Sequence, residues 1–118
     1  MKLSYITFMV RDIQKTVSFY RDLVGLKIVR QFNPGRGEIV FMSNGDGETM
    51  LEFVQFPDVP KVSAVGLTLS FQATEALEAL RQKAVDLGYA PSELINHPPK
   101  PTHFTVPDPD GVCVEFSM

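Results

Sequence analysis

Glu52 and Glu115 each lie in a short alternation of apolar and other residues just after a tight turn, 63 positions apart (115 − 52). Glu115 follows Pro107-Asp108-Pro109-Asp110-Gly111, where the prolines cannot continue a sheet and Asp-Gly turns the chain back. Glu52 follows Asn44-Gly45-Asp46-Gly47. Two like charges facing one site, together with burial, raise at least one carboxyl pKa. Such a carboxylate can serve as a general base towards a carbon acid or an epoxide, or it can hold a cationic group. Binding asks for less geometric precision and is the preferred use. Glu52 and Glu115 are thus the candidate catalytic residues. With His103 they form a candidate metal set of two carboxylates and an imidazole.

The same offset of 63 relates Phe8 to Phe71, Gly25 to Gly88, Asn33 to Asn96, Phe41 to Phe104 and Phe53 to Phe116. A repeat of half the chain indicates a duplication rather than a solenoid. The first half reads β-α-β-β-β. Leu3 to Val10 is a strand, Asp12 caps a helix with Ile13, Val17, Tyr20 and Val24 as its buried stripe, and Gly25 ends it. Lys27 to Phe32, Glu38 to Ser43 and Thr49 to Phe56 are strands. The second half repeats the order. Ala64 to Phe71 is a strand with Val65, Leu67, Leu69 and Phe71 towards the core, and Thr74 caps a helix carrying Leu77, Leu80, Ala84 and Leu87. A short strand is expected near Ser92 to Ile95. An extended proline-stiffened loop follows from Asn96 to Pro101, with His97 facing solvent, then strands Thr102 to Val106 and Val112 to Ser117. Module 1–56, linker 57–60 and module 61–118 make one domain.

The alternation predicts one apolar face under a helix in each module. The other face carries Tyr5, Thr7, Met9, Val40, Met50 and Glu52 in the first module, and Thr68, Ser70, Gln72, His103, Thr105, Cys113 and Glu115 in the second. This mixture is less charged than a solvated sheet face and reads as the lining of a cup. Tyr5, Thr7, Met50, Thr68, Ser70, His103, Thr105 and Cys113 are therefore candidate ligand contacts. The bland readings stand beside these. His103 serves as a hydrogen-bonded lining residue, Cys113 as a small packed one, and Tyr5 as floor filling. The loops around Arg36 and Pro99 are expected to rim the cup.

A chain of 118 residues, 44% hydrophobic and 21% charged, is a globular domain with a core of its own. A net charge of −3 without a Lys/Arg cluster argues against nucleic acid as partner. No apolar run approaches a membrane span, and no secretory signal is visible. The lone Cys113 fits a reducing cytoplasm.

A duplicated β-α-β-β-β unit of this length resembles the vicinal oxygen chelate superfamily, which includes glyoxalase I, bleomycin-resistance proteins, fosfomycin-resistance enzymes and extradiol dioxygenases. The resemblance rests on Val10-Arg11-Asp12-Ile13, on Ser18-Phe19-Tyr20-Arg21-Asp22-Leu23-Val24-Gly25-Leu26, on Val106-Pro107-Asp108-Pro109-Asp110-Gly111 and on Val114-Glu115-Phe116. It implies an α+β fold of two tandem βαβββ modules forming a cup, a helix outside each module, and a homodimer. It also implies, for metal-using members, ligands on the first and last strand of each module. Glu52 and Glu115 match the last-strand positions. The first-strand positions are Tyr5 and Thr68, where such members carry His, Gln or a carboxylate. The resulting expectation is a small-molecule-binding protein with a Glu-bearing cup and no cofactor. The alternative is a metal-dependent lyase, isomerase or dioxygenase using Glu52 and Glu115 with a divalent metal.

Overall fold

Asp12 turns the chain from β1 (Tyr5–Met9) into α1 (Ile13–Ser18). In the computed structural model, which describes residues 1–118, its carboxylate accepts from the backbone N–H of Gln14 at 3.1 Å and of Lys15 at 3.2 Å. This is the expected N-cap. The helix then widens into a π-helical turn over Phe19–Leu23, where the Val24 N–H donates to the Phe19 carbonyl at 3.4 Å. Ile13, Thr16, Phe19, Tyr20 and Leu23 are buried, whereas Val17 and Val24, expected in the buried stripe, are half-buried. Gly25 ends the helix at φ 86°, a conformation that favours a residue without Cβ.

Three further strands follow: β2 (Lys27–Phe32), β3 (Glu38–Ser43) and β4 (Met50–Gln55). They join β1 in a four-stranded sheet of order β1-β4-β3-β2, with β1 parallel to β4 and the other pairs antiparallel. The fold is α+β, and the chain divides into two compact units, Met1–Val62 and Ser63–Met118. In the first unit the Phe53 ring lies 5.3 Å from that of Phe8 and 4.8 Å from that of Tyr20, centroid to centroid. Burial of such rings contributes roughly 1.5–3 kcal/mol each.

The second unit contains β5 (Thr68–Gln72), α2 (Leu77–Asp86), β6 (His103–Pro107) and β7 (Cys113–Ser117), with sheet order β5-β7-β6. Phe104 and Phe71 both pack on Phe116, at 5.3 and 6.1 Å. The strand expected near Ser92 to Ile95 is reduced to a single bridge between Ile95 and His103, plus a bond from Ser92 N–H to the Thr105 carbonyl at 2.8 Å. Pro91, Pro98, Pro99 and Pro101 surround it, and prolines supply no ladder donor.

Other expectations also change. Gly66 at φ 79° interrupts the run from Ala64, so β5 begins only at Thr68. Val65 is fully exposed and Leu67 is 47% exposed, while Leu69 and Phe71 remain half-buried. Ala76, not Thr74, precedes α2, and no side chain caps it. Thr74 lies too far before the first turn for its hydroxyl to serve as the N-cap. Leu77, Leu80 and Ala84 are buried, but Leu87 falls beyond the helix end and is exposed. The end itself is a Schellman turn: Tyr89 N–H donates to the Ala84 carbonyl and Gly88 N–H to that of Val85, both at 2.9 Å, with Gly88 at φ 91°. No helix is long and apolar enough to cross a membrane.

Candidate functional site

The turn ahead of Glu115 is built by Asp108. Its carboxylate accepts from Asp110 N–H at 2.8 Å and from Val112 N–H at 3.0 Å, while Gly111 N–H donates to the Asp108 carbonyl at 2.9 Å. Asp108 is buried, and Gly111 takes φ 83°. The Asp-Pro-Asp-Gly signature is therefore structural. It sets the register in which β7 presents Glu115.

In that register Glu115 lies opposite Ser70 on β5 and Thr105 on β6. Thr68 stands opposite Cys113, and His103 opposite Ser117. The second unit thus brings Thr68, Ser70, His103, Thr105, Cys113 and Glu115 onto one face, as the alternation predicts. Ser70 Oγ donates to Glu115 Oε2 at 2.7 Å. His103 Nε2 is 3.7 Å from Glu115 Oε1, and both side chains are 8% exposed.

The first unit repeats the relationship. Thr7 lies opposite Glu52, and Thr7 Oγ1 donates to Glu52 Oε1 at 2.5 Å. Tyr5 lies opposite Met50 on the same face. Val40 does not join them. It pairs with Phe53 and is buried, whereas Phe41 pairs with Glu52. In the second unit Phe104 pairs with Phe116 and Thr105 with Glu115. The structural counterpart of Phe104 is therefore Val40, at an offset of 64 (104 − 40), and the Phe41/Phe104 match is not a match of faces. A one-residue slip exchanges the two faces of a strand. Phe41 consequently joins the Glu52 face of the first unit, where it is buried. Its ring meets Tyr5 edge-on at 5.4 Å, and the Arg30 guanidinium lies 5.6 Å from its centroid.

Sequence reasoning missed Lys100. The loop it sits on is not extended: Lys100 N–H donates to the His97 carbonyl at 3.0 Å, closing a turn, and His97 is exposed as expected. Lys100 Nζ is 2.6 Å from Glu115 Oε1. The ammonium, and after it the Ser70 hydroxyl, hold the Glu115 carboxyl below its ordinary value. The expected upward shift is thereby reversed at Glu115, because hydrogen bonding to a cation outweighs burial. No strand periodicity could have placed a loop lysine there.

The donors at these positions suit a divalent ion poorly. Tyr5 and Thr68 are neutral hydroxyls, Glu115 Oε1 already faces an ammonium, and no three His, Cys, Asp or Glu side chains form a group that could hold a metal ion. Two cavities lie in the first unit. One of about 480 Å³ is lined by Arg11, Asn33, Glu38 and Gln55 among others, and one of about 450 Å³ by Lys2, Lys27, Asp46 and Met50 among others. Met50 alone of the candidate contacts lines either.

Residues 2–116 match the family model of the Glyoxalase/Bleomycin resistance protein/Dioxygenase superfamily. The chain belongs to this superfamily. Among curated proteins, the superfamily member described here is 28% identical to YwbC of Bacillus subtilis (strain 168), over 98% of this chain and 95% of that one. Its fold is similar to that of TnmS3, an antibiotic binding protein from Streptomyces sp. CB03234, with TM-score 0.77 and 24% identity over 99% of this chain and 94% of that one. It is likewise similar to the trypanothione-dependent glyoxalase I of Leishmania major, with TM-score 0.79 and 18% identity over 99% and 86% of the two chains.

Proposed function

We propose that this superfamily member binds a small organic molecule against its Glu-bearing sheet faces, without the divalent ion that metal-using relatives employ, and that it does so as a cytoplasmic homodimer. The observation that carries the reading is the environment of Glu115, whose two oxygens are met by Ser70 and by Lys100. A carboxylate so engaged is a holder of hydrogen bonds rather than a free metal ligand or a strong base. Tyr5, Thr7, Met50 and Glu52 in the first unit, and Thr68, Ser70, His103, Thr105 and Cys113 in the second, are the ligand contacts on this reading. The antibiotic-binding activity named for TnmS3 supports it by analogy of fold alone.

The test combines elemental analysis of protein purified without chelator with a thermal-shift screen of organic compounds. The expected result is no stoichiometric metal and at least one stabilising compound whose effect changes in Glu52→Gln and Glu115→Gln. About one metal ion per chain, as a single occupied site requires, and lost in Glu52→Gln, would instead overturn the metal-free reading and call for a screen of glyoxalase-type and dioxygenase-type substrates. Light scattering of the purified protein tests the dimer.

A further inference from the structure

Lys100 projects from the loop between Ile95 and β6, with Pro99 and Pro101 on either side restricting its backbone. Its side chain is 54% exposed, whereas that of Glu115 is 8% exposed. Lys100 Nζ occupies Glu115 Oε1 at 2.6 Å and Ser70 Oγ occupies Oε2 at 2.7 Å. The carboxylate therefore has little surface left to offer a ligand. The ammonium has more. It carries three donors and no acceptor, and the bond to Glu115 uses one of them. An ion pair with one half-exposed partner is weakly held, so the ammonium can be shared with a second anion.

His103 completes the arrangement. Its Nδ1 lies 2.9 Å from the Pro101 carbonyl oxygen, which can only accept, so Nδ1 carries a proton. Its Nε2 then faces the same Glu115 oxygen that Lys100 holds, at 3.7 Å. At that distance the ring walls the carboxylate without a hydrogen bond to it, and Lys100 holds that oxygen. The charged group left pointing outward is positive.

We propose that Lys100 is a further ligand-contacting residue of the second unit, that Glu115 is its positioning residue, and that the ligand presents an anionic oxygen, as in an aromatic carboxylate, sulfonate or phenolate. This rests on the small-molecule-binding reading above and narrows it. It also reverses the preference for a cationic ligand drawn from the glutamates alone.

The experiment is a fluorescence titration with two aromatic probes of similar size, anionic 1-anilinonaphthalene-8-sulfonate and cationic proflavine. The proteins are the wild type, Lys100→Gln, Lys100→Arg and Glu115→Gln. The wild type is expected to bind the anionic probe the more tightly. Lys100→Gln weakens that binding about tenfold, the loss of one charge-assisted hydrogen bond, and Lys100→Arg retains most of it. Glu115→Gln keeps the Lys100 charge but removes the carboxylate that positions it, and weakens binding about threefold for want of preorganisation. Unchanged affinity in Lys100→Gln, a wild type that leaves the anionic probe unbound, or tighter proflavine binding lost in Glu115→Gln overturns the assignment. Any of these leaves the broader reading standing if neutral or cationic compounds stabilise the protein in the thermal-shift screen. That reading falls if no compound does, or if stoichiometric metal is found.

Discussion

Thr7 on β1 stands directly opposite Glu52 on β4 and gives it a hydrogen bond, and 63 positions further on Ser70 does the same for Glu115. Each half of the chain thus carries a hydroxyl–carboxylate pair across parallel strands. The pairs differ in burial, since Glu52 is half-buried and Glu115 is buried. Ser70→Ala is therefore expected to cost about 1–2 kcal/mol, because it strips a partner from a buried charged acceptor. Thr7→Val leaves an acceptor that water can reach, and should cost about 0.5 kcal/mol. Urea unfolding of the two variants gives the comparison, and the opposite order would contradict the account.

The Glu115 carboxyl is lowered in the folded protein, with the Lys100 ammonium as the largest cause. A carboxyl lowered on folding contributes stability that is present above its unfolded pKa and is lost as pH falls through its folded one. Lys100→Gln removes the main cause, so the gap between the two pKa values narrows. The acid limb of stability against pH should then be shallower in Lys100→Gln than in the wild type. Urea midpoints measured from neutral pH down through the carboxylate range test this, and parallel curves would show that Lys100 does not hold Glu115 in solution.

Asp108 holds the turn before β7 through two backbone donors. Asp108→Ala leaves both N–H groups unmet, with that of Val112 buried, and should cost about 1–3 kcal/mol. Gly111→Ala forces a Cβ into φ 83°, and should cost about 1–2 kcal/mol although its surroundings are open. Denaturant unfolding measures both. Asp108→Asn, which retains one side-chain acceptor, should recover part of the loss.

Phe53 and Phe116 occupy matching core positions, each against an aromatic ring of the neighbouring first strand of its unit. Truncation to Ala should cost about 3–5 kcal/mol at either site, by loss of transfer energy plus a cavity. Phe53 is fully buried and Phe116 is 3% exposed, so near-equal effects are expected. Calorimetry of Phe53→Ala and Phe116→Ala gives the values, and a loss below about 1 kcal/mol at either site would remove that ring from the core.

Much of this molecule was legible in its residues. Period-two alternation placed Thr68, Ser70, Cys113 and Glu115 on one face, since a strand has only two faces to choose from. Gly25 and Gly88 marked both helix ends, because both positions need a left-handed backbone. The Asp12 cap and the Asp-Gly turns were readable because their bonds are local. Tertiary structure decided what local pattern cannot carry. The buried stripe of the first helix runs through Thr16 and Leu23 rather than Val17 and Val24, and Gly66 and the prolines around Ser92 shortened two expected strands. The pairing register exchanged Val40 for Phe41 on the Glu52 face, because register is fixed by the partner strand and not by the strand itself. The contact that most changes the site, Lys100 on Glu115, joins a loop to a strand 15 positions away (115 − 100). Its geometry follows from where the chain folds the loop, and no spacing in the sequence encodes that distance.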